Sequence, residues 1–305
     1  MRKNLLLLIC TFIITLFLPC CPRHEKPQHI DSSELLKESP RDIDSYTLVF
    51  GVFCFETASD LFIRFKPFTD YLTEQTGEQV QLRLFNSNNE LFNSLKRKEI
   101  DIALISDAMY SILLLNKIED YSVAGIPVSQ NSEKYRCNVI VRKDSVISEF
   151  RDLKGKSFAL LDKFSVSGYY YPVELTLYLG MRPEDFFSNV IVADNYHDLI
   201  NHILTRRVSG VCIPSYYLDP TAGSGLKGKV KVIKTSDVFL KGPVIIKASL
   251  DDGLKMKINE VLFSMDSTEE GLNVLKQMNV DKFVKGSSGD YLTTLELVRK
   301  YYEFE

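Results

Sequence analysis

Ser165-Val166-Ser167-Gly168 falls directly after the strand-like run Ser157–Leu161 and directly before a helical run carrying Glu174, Leu175 and Leu179. A strand-to-helix turn of this composition can hold an anion. Backbone N–H groups at a helix start, together with the positive end of its dipole, favour a negatively charged oxygen, and two serine hydroxyls add donors. Gly168 lets a ligand approach the backbone closely, and Pro172 falls near the first turn, where its missing N–H costs least. The same residues also fit a serine that merely caps its helix, and pattern alone leaves the two readings level.

Other motifs carry less. Gly223-Ser224-Gly225-Leu226-Lys227-Gly228-Lys229 satisfies GxGxxG and the opening of a P-loop. It follows Asp219-Pro220, precedes the strand-like Val230-Lys231-Val232, and puts Val230 where a P-loop needs Ser or Thr for magnesium, so a surface loop is expected. Neither HExxH nor GxSxG occurs, so nothing points to an enzyme, and no cofactor or metal is expected. Of six cysteines, Cys10, Cys20 and Cys21 belong to the N-terminal segment. Cys54, Cys137 and Cys212 lack CxxC spacing and read as small buried hydrophobes, with one disulfide left open.

The turn needs a scaffold, and the chain supplies alternating elements. Strands are expected at Tyr46–Phe53, Val80–Phe85, Ile100–Ile105 and Tyr121–Val128, with helices at Leu61–Thr73, Leu91–Lys98 and Ala108–Asn116 between them. The pattern then repeats. Strands at Cys137–Arg142, Ser157–Leu161, Val190–Ala193 and Gly210–Ile213 enclose a helical turn near Asp152, a helix ending at Leu179, and helix Tyr196–Leu204. Strands Val230–Ile233 and Val244–Lys247 follow, and then helices Leu254–Phe263, Thr268–Met278 and Leu292–Tyr302. This alternation predicts an α/β protein of two lobes with mostly parallel sheets.

Before the lobes lies an export segment. Arg2 and Lys3 precede the apolar Leu5–Leu18, and a polar, proline-bearing stretch follows Cys20 and Cys21. The apolar run is shorter than the roughly 20 residues a spanning helix needs. Residues 1–20 therefore read as a signal peptide, and 21–45 as a tether carrying Pro22, Pro27 and Pro40.

With 305 residues, 45% hydrophobic and 25% charged, the chain has material for more than one core. Loss of Arg2 and Lys3 leaves 35 basic against 40 acidic residues, a charge of −5, which gives no electrostatic support to nucleic-acid binding.

Several ordered motifs together resemble one family. Leu153-Lys154-Gly155-Lys156-Ser157-Phe158-Ala159 followed by Ser165-Val166-Ser167-Gly168-Tyr169-Tyr170-Tyr171-Pro172 is similar to the phosphate-, phosphite- and phosphonate-binding proteins of ABC importers. Asp101-Ile102-Ala103-Leu104-Ile105 with Tyr110, Val123–Val128, Tyr135-Arg136, Val141–Ser145 and His197 add to the likeness, which runs from about Tyr46 to the C-terminus. The resemblance implies a type II periplasmic-binding fold, two α/β lobes joined by two crossover strands, Asn138–Arg142 and Val244–Lys247. Lobe 1 would comprise 46–138 and 247–305, lobe 2 139–246, with the last helices packed on lobe 1. It also implies an oxyanion site of Ser165 and Ser167 hydroxyls, the Gly168 amide, Tyr110 from the opposite lobe, and His197. Leu18-Pro19-Cys20-Cys21 resembles a lipobox, making Cys21 the expected lipidated residue and the membrane a partner through that anchor.

The expected protein is thus a monomeric, exported receptor that passes a small oxyanion to an ABC permease. A sensory or adaptor lipoprotein built on the same trap is the alternative. Three departures bear on the ligand. Val166 stands where the family has threonine, Phe55 where it often has tyrosine, and Pro214-Ser215 where an acid often meets an amine, so an aminoalkyl phosphonate is less expected than phosphate, phosphite or another phosphonate.

Overall fold

The computed structural model describes residues 47–53, 58–219 and 223–302. The signal, the tether, Cys21, Cys54 and Phe55 lie outside them.

The first sheet has six strands in the order β11-β4-β10-β3-β1-β2: β1 (Thr47–Phe53), β2 (Gln79–Phe85), β3 (Ile102–Leu104), β4 (Tyr121–Val128), β10 (Val244–Lys247) and β11 (Lys282–Val284). The second has five in the order β7-β6-β8-β5-β9: β5 (Lys134–Arg142), β6 (Ser157–Leu160), β7 (Asn189–Val192), β8 (Gly210–Pro214) and β9 (Val230–Leu240). Helices α1 (Ala58–Thr76), α2 (Asn88–Lys96) and α3 (Asp107–Leu115) connect the first sheet. Helices α4 (Tyr171–Tyr178), α5 (Pro183–Phe186) and α6 (Tyr196–Leu204) connect the second.

The pairing of helix and strand follows from periodicity. Leu48, Phe50 and Val52 alternate along β1 and meet Leu61, Phe65, Phe68 and Leu72, which recur at helical spacing on α1. Each large apolar side chain so buried contributes about 1.5–3 kcal/mol. A separate cluster around Ile140, Ala159, Leu199, Ile203 and Val211 fills part of the second lobe.

Both sheets are mixed rather than mostly parallel. β1 pairs in parallel with β2 and β3, and β6 with β7 and β8, but β10 is antiparallel to β3 and β4, and β5 to β8 and β9. The reason is connectivity. β10 re-enters the first sheet from the second lobe and inserts between β3 and β4.

This also moves the crossovers. Asn138–Arg142 and Val244–Lys247 are interior strands of their sheets, because their runs of buried β-branched residues need cover on both faces. The chain changes sheet at 129–133 and at 241–243 instead. The first passage is polar, with positive φ at Gln130 (55°) and Asn131 (59°) and a bridge between Ser129 and Ser132. The second contains Gly242, where a Cβ would lie 1.9 Å from the Ile105 carbonyl oxygen.

Helices α7 (Asp252–Ser264) and α8 (Glu269–Met278) pack on α1, in the first lobe as the resemblance implies. Helix α9 (Leu292–Tyr302) packs on α3 and also touches the turn at 166–170 in the second lobe. Cys137 and Cys212 are buried free thiols, and the Gly223–Lys229 stretch is a loop before β9. Among the described residues no helix is long and apolar enough to cross a membrane, and no cluster of His, Cys, Asp or Glu could hold a metal.

Candidate functional site

A cleft of about 640 Å³ lies between the two sheets, lined from both lobes. Ser165 opens onto it from the end of the β6 loop. Its hydroxyl accepts the Gly168 N–H at 2.9 Å, capping a widened helical turn at Val166–Tyr170 that continues into α4. Leu161 N–H donates to the Gly168 carbonyl at 3.0 Å, tying the turn back to β6. Leu161 packs so closely that a Cβ on Gly168 would come within 2.7 Å of it, so glycine is required for space.

The serine hydroxyls converge on one atom. The Tyr196 hydroxyl lies 2.6 Å from Ser165 Oγ and 2.5 Å from Ser167 Oγ. Asn195 caps α6 by accepting the Asp198 N–H at 3.0 Å, which makes Tyr196 the first helical residue. His197 follows about 100° further round the helix and is exposed, outside the cleft lining. Tyr110 also stays away from the cleft. It is 2% exposed and stacks edge to face on Tyr291 at 5.0 Å, and burial raises the pKa of its hydroxyl.

Of the five expected contacts, the structure therefore brings Ser165, Ser167 and Gly168 together and leaves Tyr110 and His197 elsewhere. Ser165 lines the cleft, while Ser167 and Gly168 sit just beneath it. Tyr196, which meets both serine hydroxyls, is not among the expected contacts. The helix start at Tyr196 is legible in the sequence, but the meeting of its side chain with the serines is a tertiary contact that no local pattern encodes.

Polar bonds cross the cleft. Ser106 Oγ, which caps α3, donates to the Phe164 carbonyl at 2.6 Å, and Asn88 donates to the Asp162 carboxylate at 3.0 Å. Tyr135 donates to Asp107 Oδ2 at 2.6 Å. Burial pushes Asp107 up to about 6, against the bonds from Tyr135 and the Ala108 N–H, and raises Asp162 as well. Burial, then the neighbouring Asp107, raises Tyr135. At the crossings, Lys241 Nζ donates to Ser129 O at 2.8 Å, Ser129 Oγ at 2.6 Å and Ser132 O at 2.6 Å, pinning one passage to the other. Burial pulls its ammonium down to about 8.

Two α/β lobes hinged at two short crossings, with a lined cleft and a hydroxyl-rich helix start on one wall, define a type II periplasmic binding protein. Residues 50–291 match the family described as the periplasmic substrate-binding protein of phosphonate ABC transporters, and the chain belongs to it. This is a family of binding proteins and not of enzymes.

Solved structures share the fold. A binding-protein component of an ABC phosphonate transporter from Pseudomonas aeruginosa superposes with a TM-score of 0.72 at 20% identity, covering 83% of this chain and 86% of that one. PhnD1 from Prochlorococcus marinus, in complex with methylphosphonate, gives 0.73 at 14% identity, covering 84% and 98%. A Xanthomonas citri protein bound to ATP gives 0.71 at 15% identity, covering 85% and 99%.

Proposed function

We propose that this protein is the lipid-anchored receptor of an ABC importer and captures a phosphorus oxyanion of the phosphonate, phosphite or phosphate class between its lobes. The observation that carries the reading is the turn at Ser165–Gly168, where two serine hydroxyls and the Tyr196 hydroxyl meet at a helix start on the cleft wall. Neutral hydroxyl donors replace hydration of the anion without burying a lysine, and the helix start adds a favourable dipole. A ligand oxygen would accept from the serine hydroxyls that meet Tyr196. Of the family's expected contacts, Tyr196 assumes the part assigned to His197, and its hydroxyl stays protonated through the physiological range because burial raises it. The membership of the family and the methylphosphonate held by a neighbour of this fold support the ligand class.

Thermal unfolding in the presence of phosphate, phosphite and methylphosphonate tests this. A ligand at a hundred times its Kd stabilises the fold by about 2.7 kcal/mol, and no shift with any of the three would remove the reading.

Export follows the family, and the anchor at Cys21 is the finer proposal, supported by the apolar run Leu5–Leu18 and the lipobox-like Leu18–Cys21. A Cys21→Ala protein that still partitions with membranes would exclude it. The acylated protein would deliver its ligand, as a monomer, to a permease in the same membrane.

A further inference from the structure

The cleft is far larger than an inorganic oxyanion or methylphosphonate needs. Cavities of roughly 300–1,000 Å³ hold drug-sized organic ligands, and this one is about 640 Å³. What fills the surplus is set by its walls.

Four tyrosines form a continuous row along the second-lobe wall. Tyr196 lies 5.1 Å from Tyr217, Tyr217 lies 5.2 Å from Tyr216, and Tyr216 lies 6.0 Å from Tyr135, measured between ring centroids. All four line the cleft. They come from three places in the chain: Tyr196 from the start of α6, Tyr216 and Tyr217 from the 3-10 turn after β8, and Tyr135 from β5. The row begins at the serine turn, where the Tyr196 hydroxyl meets Ser165 and Ser167, and ends beside the crossings, where Lys241 Nζ sits 5.6 Å from the centre of the Tyr216 ring. Phe53, Met109 and Pro127 face the same space from the first lobe.

A substituent on an anion held at the serine turn can lie along this row, which starts at that turn. Aromatic side chains accept a flat partner at centroid spacings of about 4.5–7 Å, in offset or edge-to-face arrangements, and they bury large areas in doing so. A bare oxyanion would use none of that surface. We propose that the ligand is a phosphonate or phosphate monoester whose substituent is a planar ring, with its anionic head at the serine turn and its ring against Tyr216 and Tyr217. This rests on the oxyanion reading given above and narrows it to a substrate class.

Calorimetric titration of the purified protein with phosphate, methylphosphonate, phenylphosphonate and adenosine 5′-monophosphate tests it. At least one of the ring-bearing ligands is expected to bind about tenfold or more tighter than methylphosphonate, the gain one buried aromatic contact gives. Tyr217→Leu is expected to collapse that ratio, and Tyr216→Leu serves as the second variant should the first fail to fold. Methylphosphonate binding as tightly as both ring-bearing ligands, or a ratio unmoved by both substitutions, overturns the ring assignment and leaves the oxyanion reading standing. Binding of none of the four overturns both.

Discussion

Asp107 offers a prediction whose sign and size both follow from geometry. Its carboxylate is 5% exposed at the start of α3, accepts hydrogen bonds from Tyr135 and the Ala108 N–H, and has its pKa pushed by burial from 3.8 to about 6. A folded-state pKa above the unfolded one means the folded chain holds its proton longer. The associated stability is complete below about pH 3.8 and is lost as pH rises to about 6. A difference of about two pH units corresponds to about 3 kcal/mol of stability lost by pH 7. Asp107→Asn keeps an acceptor for Tyr135 and cannot ionise, so it removes the pH dependence while weakening one of the two hydrogen bonds by about 1 kcal/mol. At pH 7 the variant should be the more stable protein by about 1–2 kcal/mol, and near pH 4 the advantage should vanish or reverse. Urea unfolding of both proteins at half-unit steps from pH 4 to pH 8 measures this directly. Parallel curves for the two proteins would refute the assignment of a strained, buried carboxylate at the lobe junction.

Two other substitutions test other parts of the site. Lys241→Met removes the three donors that join Ser129 and Ser132 to the second crossing, and should lower the urea unfolding free energy by about 2 kcal/mol or more. Gly168→Ala forces a Cβ to within 2.7 Å of Leu161. It should cost about 1–3 kcal/mol of stability through overpacking and, by displacing Ser165 and Ser167, weaken oxyanion affinity, which melting curves with and without ligand will separate.

What the sequence displayed and what it hid divide along physical lines. Elements with long periodic patterns were legible: Tyr121–Val128, Tyr196–Leu204 and Leu292–Tyr302 occur at the bounds read from the residues alone. The short edge strand Lys282–Val284 and the single turn Pro183–Phe186 were not, since three or four residues carry no period. Strand direction was hidden because β10 enters its sheet from the far lobe, a fact of tertiary connectivity that no local pattern encodes. The crossings were misplaced for a related reason: buried β-branched runs look like spines, whereas Ser129–Glu133 and Lys241–Pro243 look like ordinary turns. At the site, the Ser165–Gly168 turn was readable from its position between strand and helix. His197 came from the resemblance, whereas the contact of its neighbour Tyr196 with the two serines is tertiary and no local pattern encodes it. Tyr216 and Tyr217 belong to no sequence motif, and only the fold sets them in line with Tyr196 and Tyr135.

The central claim is that the serine turn is where a phosphorus oxyanion binds, and titration of the native protein and of a Ser165→Ala, Ser167→Ala double variant with methylphosphonate tests it most directly. Saturable binding at one site per chain, weakened by about a hundredfold in the double variant through loss of two hydroxyl donors to a charged group, is the predicted result. Equal affinity in the two proteins, with both folded, would contradict it.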